Sequence, residues 1–140
     1  MHSRIYNLDE TNYTEDEVYD MLQNVCDYAD YVSTDCDKKE DIEWLVESCN
    51  LPAKDDTITI TKEFATKHWE TLFEKAKEII EKGFSFDSLW EIRRTLFNET
   101  AFMFIHNGEL CTYDEFLKYV ARGVITETEF KIYNTWDYHR

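Results

Sequence analysis

The hydrophobic positions change period along the chain, and the changes mark its elements. Val18, Leu22, Val25, Ala29 and Val32 recur every three or four residues, which predicts an amphipathic helix over about 15–31. Thr14 with Glu17 forms a capping box at its start, and Tyr13 can staple onto Val18. Beyond a polar joint at 33–40, Ile42, Leu45, Val46 and Cys49 mark a shorter helix that ends near Asn50, ahead of Pro52. Thr57 to Ile60 alternates and is β-branched, which predicts a short strand. Phe64, His68, Trp69, Leu72, Phe73, Ala76, Ile79 and Ile80 form the broadest apolar stripe, a helix stopped by Gly83 and the strongest core pattern in the chain. Asp87 is placed to cap a further helix through Leu89, Ile92, Leu96 and Phe97.

The pattern then turns to strands. Ala101 to Ile105 is an apolar run, Asn107-Gly108 is the preferred dipeptide of a tight hairpin, and a brief strand returns over about 109–111. Thr112 with Glu115 is a second capping box, opening a helix that ends at Gly123. Thr126 with Glu129 is a third, with Ile125 able to staple onto Phe130. Residues 3–8 read as a short edge strand, and the aromatic tail from Asn134, with Tyr133, Trp136 and Tyr138, can serve equally as core, dimer contact or second binding site. The sum is an α+β fold, mainly helical, with five to six short helices and a small antiparallel sheet around the 101–111 hairpin. Through Leu117, Gly123, Ile125, Thr126, Glu129 and Phe130, residues 113–134 resemble the helix–Gly–helix hairpin of the SHOCT module. That resemblance implies a packing unit and no activity.

Composition agrees with one folded domain over 1–140. Three glycines and one proline disfavour long linkers, and 43% hydrophobic with 16% aromatic residues argue against disorder. Cysteines at 26, 36, 49 and 111 are spaced too widely for paired zinc ligands. They read as reduced, mostly buried thiols of a cytoplasmic protein. The start MHSRIYNLDE has no apolar signal segment, and no apolar run reaches the length of a membrane span.

Catalytic chemistry finds little footing. There is no glycine-rich phosphate loop, dinucleotide fingerprint or nucleophile elbow. His68 lies on an apolar stripe and reads as a core or boundary residue. His106 precedes the hairpin turn, and His2 and His139 are near-terminal. The oxygen-rich run from Asp30 to Asp41 fails as a calcium loop, because counting from Asp35 puts Lys39 at the fifth position and Glu40 where glycine is needed. The expectation is a protein without enzymatic activity, cofactor or metal.

Charge changes the picture most. Of a net −15, residues 1–50 hold fourteen acids against three bases, and residues 51–140 hold sixteen against twelve. So acidic a chain disfavours direct contact with nucleic acid or anionic membrane and favours a cationic protein partner. Carboxylates three or four residues apart on a helix stand about 5–6 Å apart, the scale on which a nucleic acid displays phosphates. The division suggests a scaffold in 57–140 presenting an acidic helical face from 9–47. The partner-binding candidates are Asp16, Glu17, Asp20, Asp27, Asp30, Asp35, Asp37, Glu40, Asp41 and Glu43, with Tyr19, Tyr28 and Tyr31 interleaved as anchors.

In charge, size, aromatic content and scarcity of Gly and Pro, the chain resembles the acidic DNA-mimic proteins of phages and mobile elements, the antirestriction and anti-CRISPR inhibitors. The resemblance implies a stoichiometric inhibitor that occupies the basic channel of a defence nuclease or another nucleic-acid-binding enzyme. The alternative is a non-catalytic adaptor or regulatory module whose acidity serves solubility.

Overall fold

The computed structural model describes residues 2–25, 29–96 and 102–139. Its centre is a five-stranded sheet in the order β2-β8-β1-β5-β6. These strands are β1 (His2–Asn7), β2 (Tyr31–Ser33), β5 (Phe102–His106), β6 (Glu109–Thr112) and β8 (Asn134–His139). A three-stranded sheet joins β3 (Ala53–Lys54), β4 (Thr57–Thr59) and β7 (Glu129–Lys131). The helices are α1 (Glu15–Gln23), α2 (Lys38–Cys49), α3 (Lys62–Glu81), α4 (Phe86–Leu96) and α5 (Tyr113–Ala121). The fold is α+β, and its main sheet is larger than expected and mixed, because β1 runs parallel to β5 and antiparallel to β8.

Strand alternation puts a separate core on each face of the main sheet. Ile5, Met103, Ile105, Trp136 and Tyr138 point to one face, where Val18 and Leu22 of α1 cover them. Tyr6, Phe102 and Phe104 point to the other, against Ile42 and Leu45 of α2, Phe116 and Leu117 of α5, and Ile58 and Phe130 of the small sheet. A strand buried on both faces reads as a continuous apolar run, which is why 102–105 lacks alternation.

Several expectations are corrected. β1 is central and not an edge strand, lying between β8 and β5. The first helix stops at Gln23 with Asn24 as its cap, and Val32 belongs to β2, opposite Tyr138. Ser85 Oγ accepts from Ser88 N at the start of α4, and Asp87 lies inside the first turn instead of capping it. No helix opens at Thr126, because Glu129–Lys131 pairs with β4, Phe130 opposite Ile58. The second helix of the SHOCT-like hairpin is therefore a strand. The broad stripe of α3 buries only Ala65 and Ile79 fully and leaves Phe73 and Ile80 exposed.

Other signals hold. Thr14 and Glu17 form the capping box of α1, and at α5 the expected box is present in its N-cap half, Thr112 Oγ1 accepting from Glu115 N. Asn107 and Gly108 take φ of 52° and 77°, the left-handed pair that a two-residue hairpin requires. Among the described residues no helix is long and apolar enough to cross a membrane.

Candidate functional site

The acidic candidates are distributed around one edge of the main sheet. α1 lies on one face of that sheet and α2 on the other, with β2 as the edge strand between them. The two helices thus do not share a face. Their acids form a ridge: Asp16 and Asp20 on one flank, Asp30, Asp35 and Asp37 along the edge, Glu40 and Glu43 on the other flank, all exposed. Asp27 and Tyr28 lie outside the described residues.

Many of these acids have work inside the chain. Glu17 accepts from Thr14 N at 2.8 Å, completing the capping box. Asp37 caps α2, its Oδ1 accepting from Lys39 N at 2.9 Å and Glu40 N at 3.1 Å. Glu15 accepts from the backbone and hydroxyl of Thr34 and so holds the joint against α1. Asp30 pairs with His139 Nδ1 at 2.9 Å, and Tyr31 stacks on the same imidazole, 5.7 Å between centroids. Tyr19 donates to the Ala29 carbonyl. Asp16, Asp20, Asp35, Glu40 and Glu43 have exposed carboxylates that bond to no side chain among the described residues.

Asp41 leaves the ridge altogether. It is 4% exposed, with Oδ1 accepting from Arg4 Nε at 2.6 Å and Oδ2 from Thr135 Oγ1 at 2.7 Å. Its position was readable: Asp41 stands four residues before Leu45, on the stripe that α2 turns inward. Arg4 also donates to Asp137 of β8, Tyr6 donates to the Asp41 carbonyl at 2.6 Å, and Cys36 Sγ lies 3.2 Å from the Thr135 carbonyl. A buried charge cluster of this kind joins β1, β8 and α2. No spacing rule links Arg4, Asp41 and Asp137 in advance.

A concavity of about 980 Å³ opens between α2, α3 and α4. Trp44, Phe64, Phe102 and Tyr113 line it, with His68 Nε2 and Asp114 Oδ1 2.7 Å apart on its wall. His68 meets Trp69 and Tyr113 edge to face, so the pair braces α3 against α5 at the boundary expected for this histidine. Burial pushes the nearby Cys49 thiol up to about 11, which leaves it protonated and weakly nucleophilic at neutral pH. Cys36, Cys49 and Cys111 are free thiols. Among the described residues no group of three or more His, Cys, Asp or Glu side chains could hold a metal ion. No protein-family model matches the chain, and neither a curated protein nor a solved structure matches it.

Proposed function

We propose that this chain is a non-catalytic binding protein whose acidic ridge docks into a basic, nucleic-acid-binding groove of a partner protein and competes there with phosphate. The observation that carries it is the set of exposed, uncommitted carboxylates on both flanks and the crest of the β2 edge: Asp16, Asp20, Asp35, Glu40 and Glu43. A ridge is convex, so its complement is a groove or channel, the shape in which proteins hold nucleic-acid strands. Carboxylates paired with Arg and Lys form charge-assisted hydrogen bonds of the kind those bases give to phosphate. Tyr19 and Tyr31, exposed beside the acids, supply rigid aromatic contacts. Inhibition of a nuclease, by occupying its channel, is the outcome expected of such a complex.

Affinity capture from a bacterial lysate, with duplex DNA as competitor, tests this at low and high salt. A retained nucleic-acid-binding protein, displaced both by DNA and by salt, is the expected result. Capture indifferent to both favours the alternative, an adaptor or regulatory module whose acidity serves solubility and folding. That alternative draws support from the acids consumed internally, Glu15, Glu17, Asp37 and Asp41 among them.

A further inference from the structure

We infer that the α3–α4 hairpin is a dimerisation arm whose apolar face is covered by a second copy of this chain. It uses different residues from the ridge and does not depend on it. α4 buries no residue fully, and α3 buries only Ala65 and Ile79. The two helices are joined by the short turn 82–85, which makes them antiparallel neighbours, half of a four-helix bundle. Between them they leave Phe73, Ile80, Phe84, Phe86, Leu89 and Trp90 each more than half exposed. Phe84 and Phe86 meet edge to face at the tip, 5.8 Å between centroids, and Phe86 and Trp90 follow at i and i+4 along α4.

The area is that of an interface. The four aromatics are 57–82% exposed. At roughly 150–250 Å² for each whole side chain, they leave roughly 400–700 Å² per chain open to water, before Ile80 and Leu89 are counted. A standard interface takes about 800 Å² from each partner. Exposed apolar surface on this scale, concentrated on one helical hairpin, marks an interaction surface.

Charge selects the occupant. Residues 62–96 hold seven bases and seven acids, interleaved, while the remainder of the chain holds eight bases against twenty-three acids. Two copies repel one another over most of their surfaces, but the neutral arm can meet itself. A two-fold contact sets a patch against its own copy, so mixed signs, such as Glu74, Lys77 and Glu81 at three- and four-residue spacing along α3, complement themselves. A strongly cationic partner gains nothing from this surface.

Sedimentation velocity on the full chain over a range of concentrations tests the inference. The expected species has twice the 16.9 kDa of the single chain, and added salt strengthens it by screening repulsion between the acidic bodies. The double variant F86E/W90E weakens dimerisation by on the order of 100-fold with unchanged far-UV circular dichroism. If that variant loses helical signal, Phe84→Ser in the turn gives the same reading without a change inside either helix. A chain that stays at single-chain mass at every concentration and salt overturns the inference, and so does undiminished dimerisation of either folded variant. A different protein as the natural occupant would show itself as that monomer.

Discussion

Arg4 Nε donates to Asp41 Oδ1 at 2.6 Å, tying the central strand of the main sheet to α2 through a nearly buried ion pair. Burial opposes the charge on Arg4. The hydrogen bond and charge of Asp41, with Asp137 behind them, outweigh that cost and raise the Arg4 pKa. Removing one partner strands the other. Asp41→Ala is expected to lower stability by about 3–5 kcal/mol. Replacing both, Arg4→Met with Asp41→Leu, costs less than the two single changes together. Urea unfolding measures each, and a loss under about 1 kcal/mol for Asp41→Ala contradicts the structural role given to it.

Asp9 is an acid of the same kind at the opposite edge. It accepts from Asn107 N at 2.7 Å, Gly108 N at 2.9 Å and Tyr13 Oη at 2.8 Å, fastening the β5–β6 turn to the segment before α1. Asp9→Ala leaves these donors to water and is expected to cost about 1–2 kcal/mol. Asp16→Ala, exposed and uncommitted, should stay within about 0.5 kcal/mol of the parent. Thermal or urea unfolding of the two variants side by side separates an acid that holds the fold from one that is spare.

The ridge geometry makes its two flanks separable. Asp16→Lys with Asp20→Lys alters only the α1 flank, and Glu40→Lys with Glu43→Lys only the α2 flank. Each pair relieves like-charge repulsion but sets a lysine in the first turn of its helix, where the dipole favours acids, so folding stability is expected to stay within about 1 kcal/mol of the parent. Both pairs should weaken partner binding, with nearly additive effects because the sheet lies between them. Titration calorimetry with the captured partner reads this. Loss from one flank only contradicts docking astride the β2 edge.

Stability should fall on the alkaline side. Burial, with Glu115 and Glu109 adding to it, pushes the Cys111 thiol from an ordinary 9.0 up to about 12, and burial takes Cys49 up to about 11. Tyr6 and Tyr113 are raised too, burial being the largest cause in each. The unfolded chain releases these protons at lower pH than the folded one. The stabilisation is therefore complete below about pH 9 and is lost as pH climbs toward about 12. Cys111→Val should flatten that decline. Denaturation midpoints measured across this range check it, and a profile unchanged by the substitution contradicts it.

Legibility in the sequence followed the range of the interaction. Thr14 with Glu17, Thr112 with Glu115, and Asn107-Gly108 are complete within four residues, and the corresponding caps and turn are where their chemistry puts them. The same local box at Thr126 and Glu129 yielded to β4, because Phe130 enters the core only as a strand residue beside Ile58. Residues 3–8 read as an edge strand, yet β1 is central. Its Arg4 and Asn7 are satisfied by Asp41, Asp137 and Asn134, far away in sequence. Trp136 and Tyr138 of the tail are open in sequence to core, dimer contact or binding site, and pairing between β1 and β2 is what makes them core. The acids of 9–47 were visible as a cluster. That they divide over two faces of a sheet depends on strand order, which no local pattern encodes.

The most direct test of the acidic ridge is the salt dependence of partner affinity, measured for the parent and for a variant with Asp16, Asp20, Asp35, Glu40 and Glu43 all changed to Lys. The account predicts affinity for the parent that drops steeply with added salt and competes with duplex DNA. It predicts a folded variant that no longer binds at any salt concentration. Equal affinity and equal salt slope for the two proteins would contradict it.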